Sequence, residues 1–198
     1  SSKIYSKKGD VYKNIALIYA KKGFKEKALK AIYVAKKNNG FDQSLAVVEA
    51  NLYLETKDYE TFDHLASSIL ELDSKNAQLS SNFGLKCEKE SYYEGAEHYF
   101  KKAIAMDPLF ADSYINLSTL LIGRSNAIDS KINSLVTSDT NKMMITELKL
   151  QKEQILKNVQ PYLQKAVSID PFNSNAKLLM ANINITNHIK SNAFASGD

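Results

Sequence analysis

The chain has 198 residues, 44% of them hydrophobic, and its 26 lysines and arginines exceed its 22 acids to give a net charge of +4. That supplies a sizeable core for one or two domains, and the mild charge, read as interspersed in sign, leaves neither a nucleic-acid footprint nor a polybasic membrane anchor. No apolar run approaches the ~20 residues of a membrane helix, and the single cysteine, Cys87, excludes an internal disulfide and a cysteine metal cluster.

The opening, SSKIYSKKGD, lacks both an initiator Met and the apolar core of a signal peptide, so a mature or trimmed form is expected. From Gly9 a pattern begins that returns. NIALIYA, then KKG, then FKEKALKAIYVA give two apolar stripes of helical period around a polar break, closed by Gly40. In YYEGAEHYFKKAIAMDP, Tyr92 to Pro108, Ala96 and Ala103 stand where Ala28 and Ala35 stood, and Asp107-Pro108 takes the place that Asp73-Ser74 holds one period earlier. Repeats of roughly 34 residues therefore start at Gly9, Gln43, Ala77 and Ala111. Counting from those starts, the eighth place is always small: Ala16, Ala50, Gly84 and Ser118. The eleventh place is Tyr19, Tyr53, Cys87 and Leu121, residues that fill a seam between helices. Each repeat reads as two antiparallel helices whose backbones approach at the small places.

Tyr12, Ile15, Ala16, Tyr19, Gly23, Ala28 and Ala35 in the first repeat resemble the tetratricopeptide repeat (TPR), as do Gly84, Tyr93, Ala96, Phe100, Ala103 and Pro108 in the third. The resemblance covers most of Gly9 to Ile189, and the second repeat departs from it at Glu49, Phe62 and Ile69. It implies an all-α fold: a right-handed superhelical stack of antiparallel helix pairs, an α-solenoid, forming one domain over residues 1–190 with a tail at 191–198.

The fourth repeat starts normally, with Tyr114, Leu117, Ser118 and Leu121, but its closing Asp170-Pro171 comes nearly two periods after Asp107-Pro108 instead of one. The surplus, Ser125 to Glu153, continues both helices. Ile128, Ile132 and Leu135 form one stripe, Met144, Leu148, Ile155 and Val159 the other, and TSDTN, Thr137 to Asn141, the turn. A helical hairpin is expected whose arms each project about 14 residues, or ~21 Å. Pro161 falls inside its second helix, where it removes a backbone donor and predicts a bend. NAKLLMANINI then predicts a capping helix over about 174–190, with Ala181 at the small place.

Catalytic chemistry is missing. His64, His98 and His188 have no ligand spacing, Cys87 sits at a seam place, and no phosphate loop or connected nucleophile arrangement is present. Neither an enzyme, nor a cofactor, nor a bound metal is expected. The resemblance instead implies ligands along the concave face formed by first helices, where Lys13, Asn14, Asn51, Gln78, Ser81, Asn82, Asp112, Asn116 and Thr119 fall. Asparagines there can pair with the backbone of an extended peptide, and Asn82 and Asn116 are expected to face solvent. One TPR branch clamps the C-terminal carboxylate of chaperones with two lysines, an arginine and two asparagines. Lys13 fits its first place, but Leu17, Val48 and Asn82 do not supply the rest, and a frame shifted by one repeat puts Val47, Asp112 and Asn116 at the cationic places. A chaperone clamp is therefore not expected. The function expected is a protein-protein interaction scaffold, with the hairpin as a second docking element; the alternative is a structural or self-assembly module of a longer array. A nucleic-acid partner would need cations in the groove, which holds Lys13 beside Asp112. TPR proteins with a similar insertion resemble exported bacterial proteins, which tilts the expected compartment toward the periplasm.

Overall fold

A computed structural model describes the backbone of residues 2–136 and 141–195 and the side chains of residues 9–136 and 141–184. Among these it is all-α: α1 (Ser2–Lys21), α2 (Lys25–Asn39), α3 (Gln43–Glu55), α4 (Tyr59–Leu72), α5 (Ala77–Lys89), α6 (Tyr93–Met106), α7 (Ala111–Leu135), α8 (Lys142–Ile169) and α9 (Ser174–Ala195). Contacts gather α1 to α4 into one compact body and α5 to α9 into a second. Helices α3, α5 and α7 begin at the residues the repeat frame requires, whereas α1 starts ahead of Gly9.

The small eighth place is buried in every repeat, at Ala16, Ala50, Gly84 and Ser118. Its purpose is plainest at Gly84, where an added Cβ would stand 2.5 Å from Cε1 of Phe100 on α6. In the first three repeats the second helix answers with buried residues at the twentieth, twenty-fourth and twenty-seventh places, and their sizes compensate. Ala28, Ile32, Ala35 and Ala96, Phe100, Ala103 place the bulk in the middle. The second repeat inverts this, with Phe62, Ala66 and Ile69 all buried. Its departures from the usual alanines are thus a redistribution of volume that keeps the seam filled.

Turns within repeats are built alike. Gly23, Lys57 and Ser91 occupy the same fifteenth place and have φ of 77°, 63° and 63°. The next residue's N–H reaches back to the eleventh-place carbonyl: Phe24 to Tyr19 at 2.9 Å, Asp58 to Tyr53 at 3.0 Å and Tyr92 to Cys87 at 2.8 Å. This closes the first helix in a Schellman arrangement and reverses the chain. Between repeats, Asp107 and Asp170 accept from the N–H of Leu109 and Phe172, which explains the recurring Asp-Pro.

In the fourth repeat the fifteenth place is Ser125, which is helical and buried, so no reversal occurs there. Helix α7 runs 25 residues and α8 28, against 13 for α5 and 14 for α6. The elongated hairpin buries Ile132, Leu148 and Leu156, and Lys152 Nζ donates to both Asp129 oxygens at 2.6 Å. Met144, expected in its stripe, is exposed; the half-buried Ile145 precedes Leu148 by three and takes that place on the helix. Of the expected turn at 137–141, residues 137–140 lie outside the described residues. Helix α8 continues through the exposed Pro161.

Asn173 Oδ1 caps α9 by accepting from Ala176 N–H at 3.0 Å, and Ala176 and Ile183 are buried. Ala181 is exposed, contrary to its expected seam role. The eighth place faces a repeat's own second helix, and among the described residues α9 has none. The backbone of α9 also stays helical to Ala195, beyond the expected end near residue 190. No helix among the described residues is long and apolar enough to cross a membrane.

A polar clasp joins α1 to α3. Asp42 caps α3 by accepting from Leu45 N–H at 3.0 Å and takes a 2.5 Å hydrogen bond from Lys13 Nζ. The Lys13 bond first and then that from the Ser44 hydroxyl, opposed by burial and helped by the weaker effects of the Leu45 N–H and the Lys13 charge, lower its pKa from 3.8 to about 2. A carboxylate with a depressed pKa contributes stability that is present above pH 3.8 and lost as pH falls toward about 2. In Asp42→Asn, which retains a capping oxygen, the acid-induced loss of stability across that window should flatten in urea titrations. For the inverted seam, Phe62→Ala should destabilise by about 3 to 5 kcal/mol, and adding Ala66→Phe should restore part of it, measured by chemical denaturation.

Candidate functional site

In the second body, outward stripes on two first helices carry five of the nine predicted site residues. On α5, Gln78, Asn82 and Leu85 follow at intervals of four and three and share one face. On α7, Asp112, Asn116 and Thr119 do the same. The two stripes are tied together where Asn116 Nδ2 donates to Ser81 Oγ at 3.3 Å. Gln78, Asn82, Asp112 and Thr119 are exposed, and Gln78 Nε2 donates to Asn82 Oδ1 at 3.1 Å. That bond uses the Asn82 acceptor and leaves its amide donors outward.

Ser81 and Asn116 differ from expectation. Ser81 is only 1% exposed and its hydroxyl is engaged by Asn116, which is itself half-buried. The cause is register: Ser81 lies one residue before the Asn82 stripe, which turns it inward on a helix of 3.6 residues per turn. Asn116 therefore joins helices as well as lining the face, and Asn82 is the freer amide.

In the first body, Asn14 is exposed on α1, while Lys13 is held by Asp42. Lys13 is a clasp between helices more than a free cation. Asn51, on α3, has its Oδ1 buried without a hydrogen-bond partner. Such an acceptor carries a desolvation cost of about 1 to 3 kcal/mol unless something pairs with it.

The sequence reading missed two leucines. Leu17 on α1 and Leu85 on α5 fall at the ninth place, next to the amides, and both are exposed. The ninth place holds Leu17, Asn51, Leu85 and Thr119, and a leucine at an outward place among amides was the available signal. The faces are thus amphipathic, with amide groups beside aliphatic contacts. His64 and His98 are exposed, and the His98 and Tyr99 rings make a T-shaped pair with centroids 5.0 Å apart. Cys87 is buried. Among the described residues no group of three or more His, Cys, Asp or Glu side chains is placed to hold a metal ion.

No family model matches the chain, and no curated protein matches it. Solved structures do. MamA from Desulfovibrio magneticus RS-1, from residue 41 to its end, is 18% identical, with 95% of this chain and 90% of that chain covered at a TM-score of 0.54. A double mutant of MamA RS-1 is 17% identical, with 91% and 85% covered at 0.53. A TPR repeats protein from Bacteroides fragilis is 16% identical, with 90% and 83% covered at 0.52. The helix pairs, the buried small places and these likenesses agree: the chain has the tetratricopeptide-repeat fold.

Proposed function

We propose that the chain is a non-catalytic protein-protein interaction scaffold that holds an extended peptide or partner segment along the outward stripes of the first helices within a body. The observation that carries this reading is the combination, on those stripes, of amide groups with unused bonding capacity and exposed leucines. On α5, Asn82 turns its donors outward beside the exposed Leu85, and on α1 the exposed Asn14 lies beside the exposed Leu17. Amides bind a peptide backbone whatever its side chains, and the leucine beside them selects for an apolar residue there. The stripes are set on helices, so little conformational freedom is lost on binding.

The hairpin is the second docking element of the proposal. Val136 and Met143 near its tip, and Leu150 along α8, are exposed, and flexible methionine suits an adaptable apolar contact. Nucleic acid is not proposed as the groove ligand, because the one lysine among the stripe residues, Lys13, is already paired with Asp42.

Screening the intact chain against a displayed library of extended peptides tests this. A selected peptide should bind about ten-fold more weakly to Asn82→Ala/Thr119→Ala by calorimetry, while the denaturation midpoint stays nearly unchanged because both side chains are exposed. Unchanged affinity would remove the first-helix stripe from the site.

A further inference from the structure

The charges are not interspersed as the whole-chain balance suggests. Residues 1–40 hold eleven lysines against two acids, Asp10 and Glu26, a net charge of +9, so the remaining residues are net acidic at −5. Several of the described lysines are spent locally: Lys13 on Asp42, Lys25 on Glu55 and Lys36 on Glu49. Lys22, just past the end of α1, donates its backbone N–H to Ile18 O, while its ammonium group has no ion pair or hydrogen bond to a described residue and is exposed.

Helix α1 exposes aliphatic residues at places that α3, α7 and α9 bury. The third and tenth places are Leu45 and Leu52 on α3, Ser113 and Leu120 on α7, and Ala176 and Ile183 on α9, all buried. In the first body, Leu45 and Leu52 join the cluster of Ala31, Ile32 and Ala35, so the seat they form receives the second helix of the repeat before. On α5 the pair is Leu79, half-buried, and Lys86, exposed. On α1 it is Val11, 55% exposed, and Ile18, 53% exposed. The fourteenth place adds a chemical instruction. On α7 it is Arg124, whose Nη1 donates to Glu97 Oε2 at 2.7 Å on α6, the second helix of the preceding repeat. On α1 the fourteenth place is Lys22.

We infer that the Val11, Asn14, Ile18 and Lys22 face of α1 is a docking seat for an acidic amphipathic helix of a partner protein. Aliphatic residues of that helix cover Val11 and Ile18, and a carboxylate pairs with Lys22 as Glu97 pairs with Arg124. The lysine excess of the first 40 residues favours an acidic helix over a neutral one and speeds its encounter. An anionic lipid surface fits less well, since Asn14 lies between the two aliphatics and its amide needs a polar partner that lipid tails do not offer. The seat borders the groove stripe of α1 and shares Asn14 with it, but its test turns on Ile18 and Lys22, which lie outside that stripe, so it stands or falls independently of the proposed function.

The probe is a fluorescent stapled helix with the sequence of Tyr93 to Met106, in which Lys101 and Lys102 are replaced by Glu, titrated into the intact chain. Saturable binding is expected, weakened about ten-fold or more by Ile18→Asp, which removes one aliphatic contact and adds repulsion. Lys22→Glu should also weaken it, and exchanging the probe's glutamate at position 97 for lysine should restore binding to that variant. Exposed positions keep the fold, so thermal melts of both variants should match the parent. Absence of saturable binding, binding indifferent to Ile18→Asp, or failure of the charge exchange would overturn the inference. So would an Ile18-dependent rise in mass of the chain alone, which would make the occupant a second copy. Ile18-dependent binding of phosphatidylserine vesicles or single-stranded RNA in place of the probe would likewise overturn it.

Discussion

Everything in this chain depends on how closely two helices of one repeat can approach. At Gly84 the approach is so tight that a single added carbon would fall 2.5 Å from the Phe100 ring. The other repeats solve the same contact with Ala16, Ala50 and Ser118. Once the eighth place is fixed against the second helix, the period of 3.6 residues decides the rest of the first helix. On α3, α7 and α9 the third and tenth places are buried, and on α5 and α7 the second and ninth turn outward. The residues offered for binding are therefore those that the seam leaves free, and the exposed faces of α1 follow from the same geometry.

The period was legible because close packing tolerates few side chains at the seam. Small and aromatic residues returning at one constant interval could be read directly, and α3, α5 and α7 start where that interval places them. Compensation was not legible. Phe62 and Ile69 looked like departures until Ala66 was seen to give back the volume between them, because a packing sum over three residues has no local signature. Nor could the turn residue be read alone: Ser91 adopts φ of 63° and closes a helix, while Ser125 at the same place stays helical. The surplus of apolar residues beyond Ser125, not the serine, decides that the helix continues.

At the candidate site, the sequence pattern put the stripes on first helices but carried no sign of the state of each side chain. Lys13 reads as a free cation until Asp42 is found 2.5 Å away. Ser81 reads as outward until one residue of register turns it in. Whole-chain charge also concealed a basic first helix pair, because an average over 198 residues cancels +9 against −5. Each of these depends on pairing or position in space, which composition does not carry.

The seam itself is tested most directly by a double-mutant cycle on Gly84→Ala and Phe100→Leu. Alanine is the better helix former by about 1 kcal/mol, so any penalty it brings must come from the ring it meets. Shrinking that ring to leucine should relieve the penalty, and the account predicts a coupling of about 1 kcal/mol or more between the two changes in chemical denaturation. Effects that add to within about 0.3 kcal/mol would mean that Gly84 and Phe100 do not constrain each other, and the contact from which the whole arrangement is derived would be wrong.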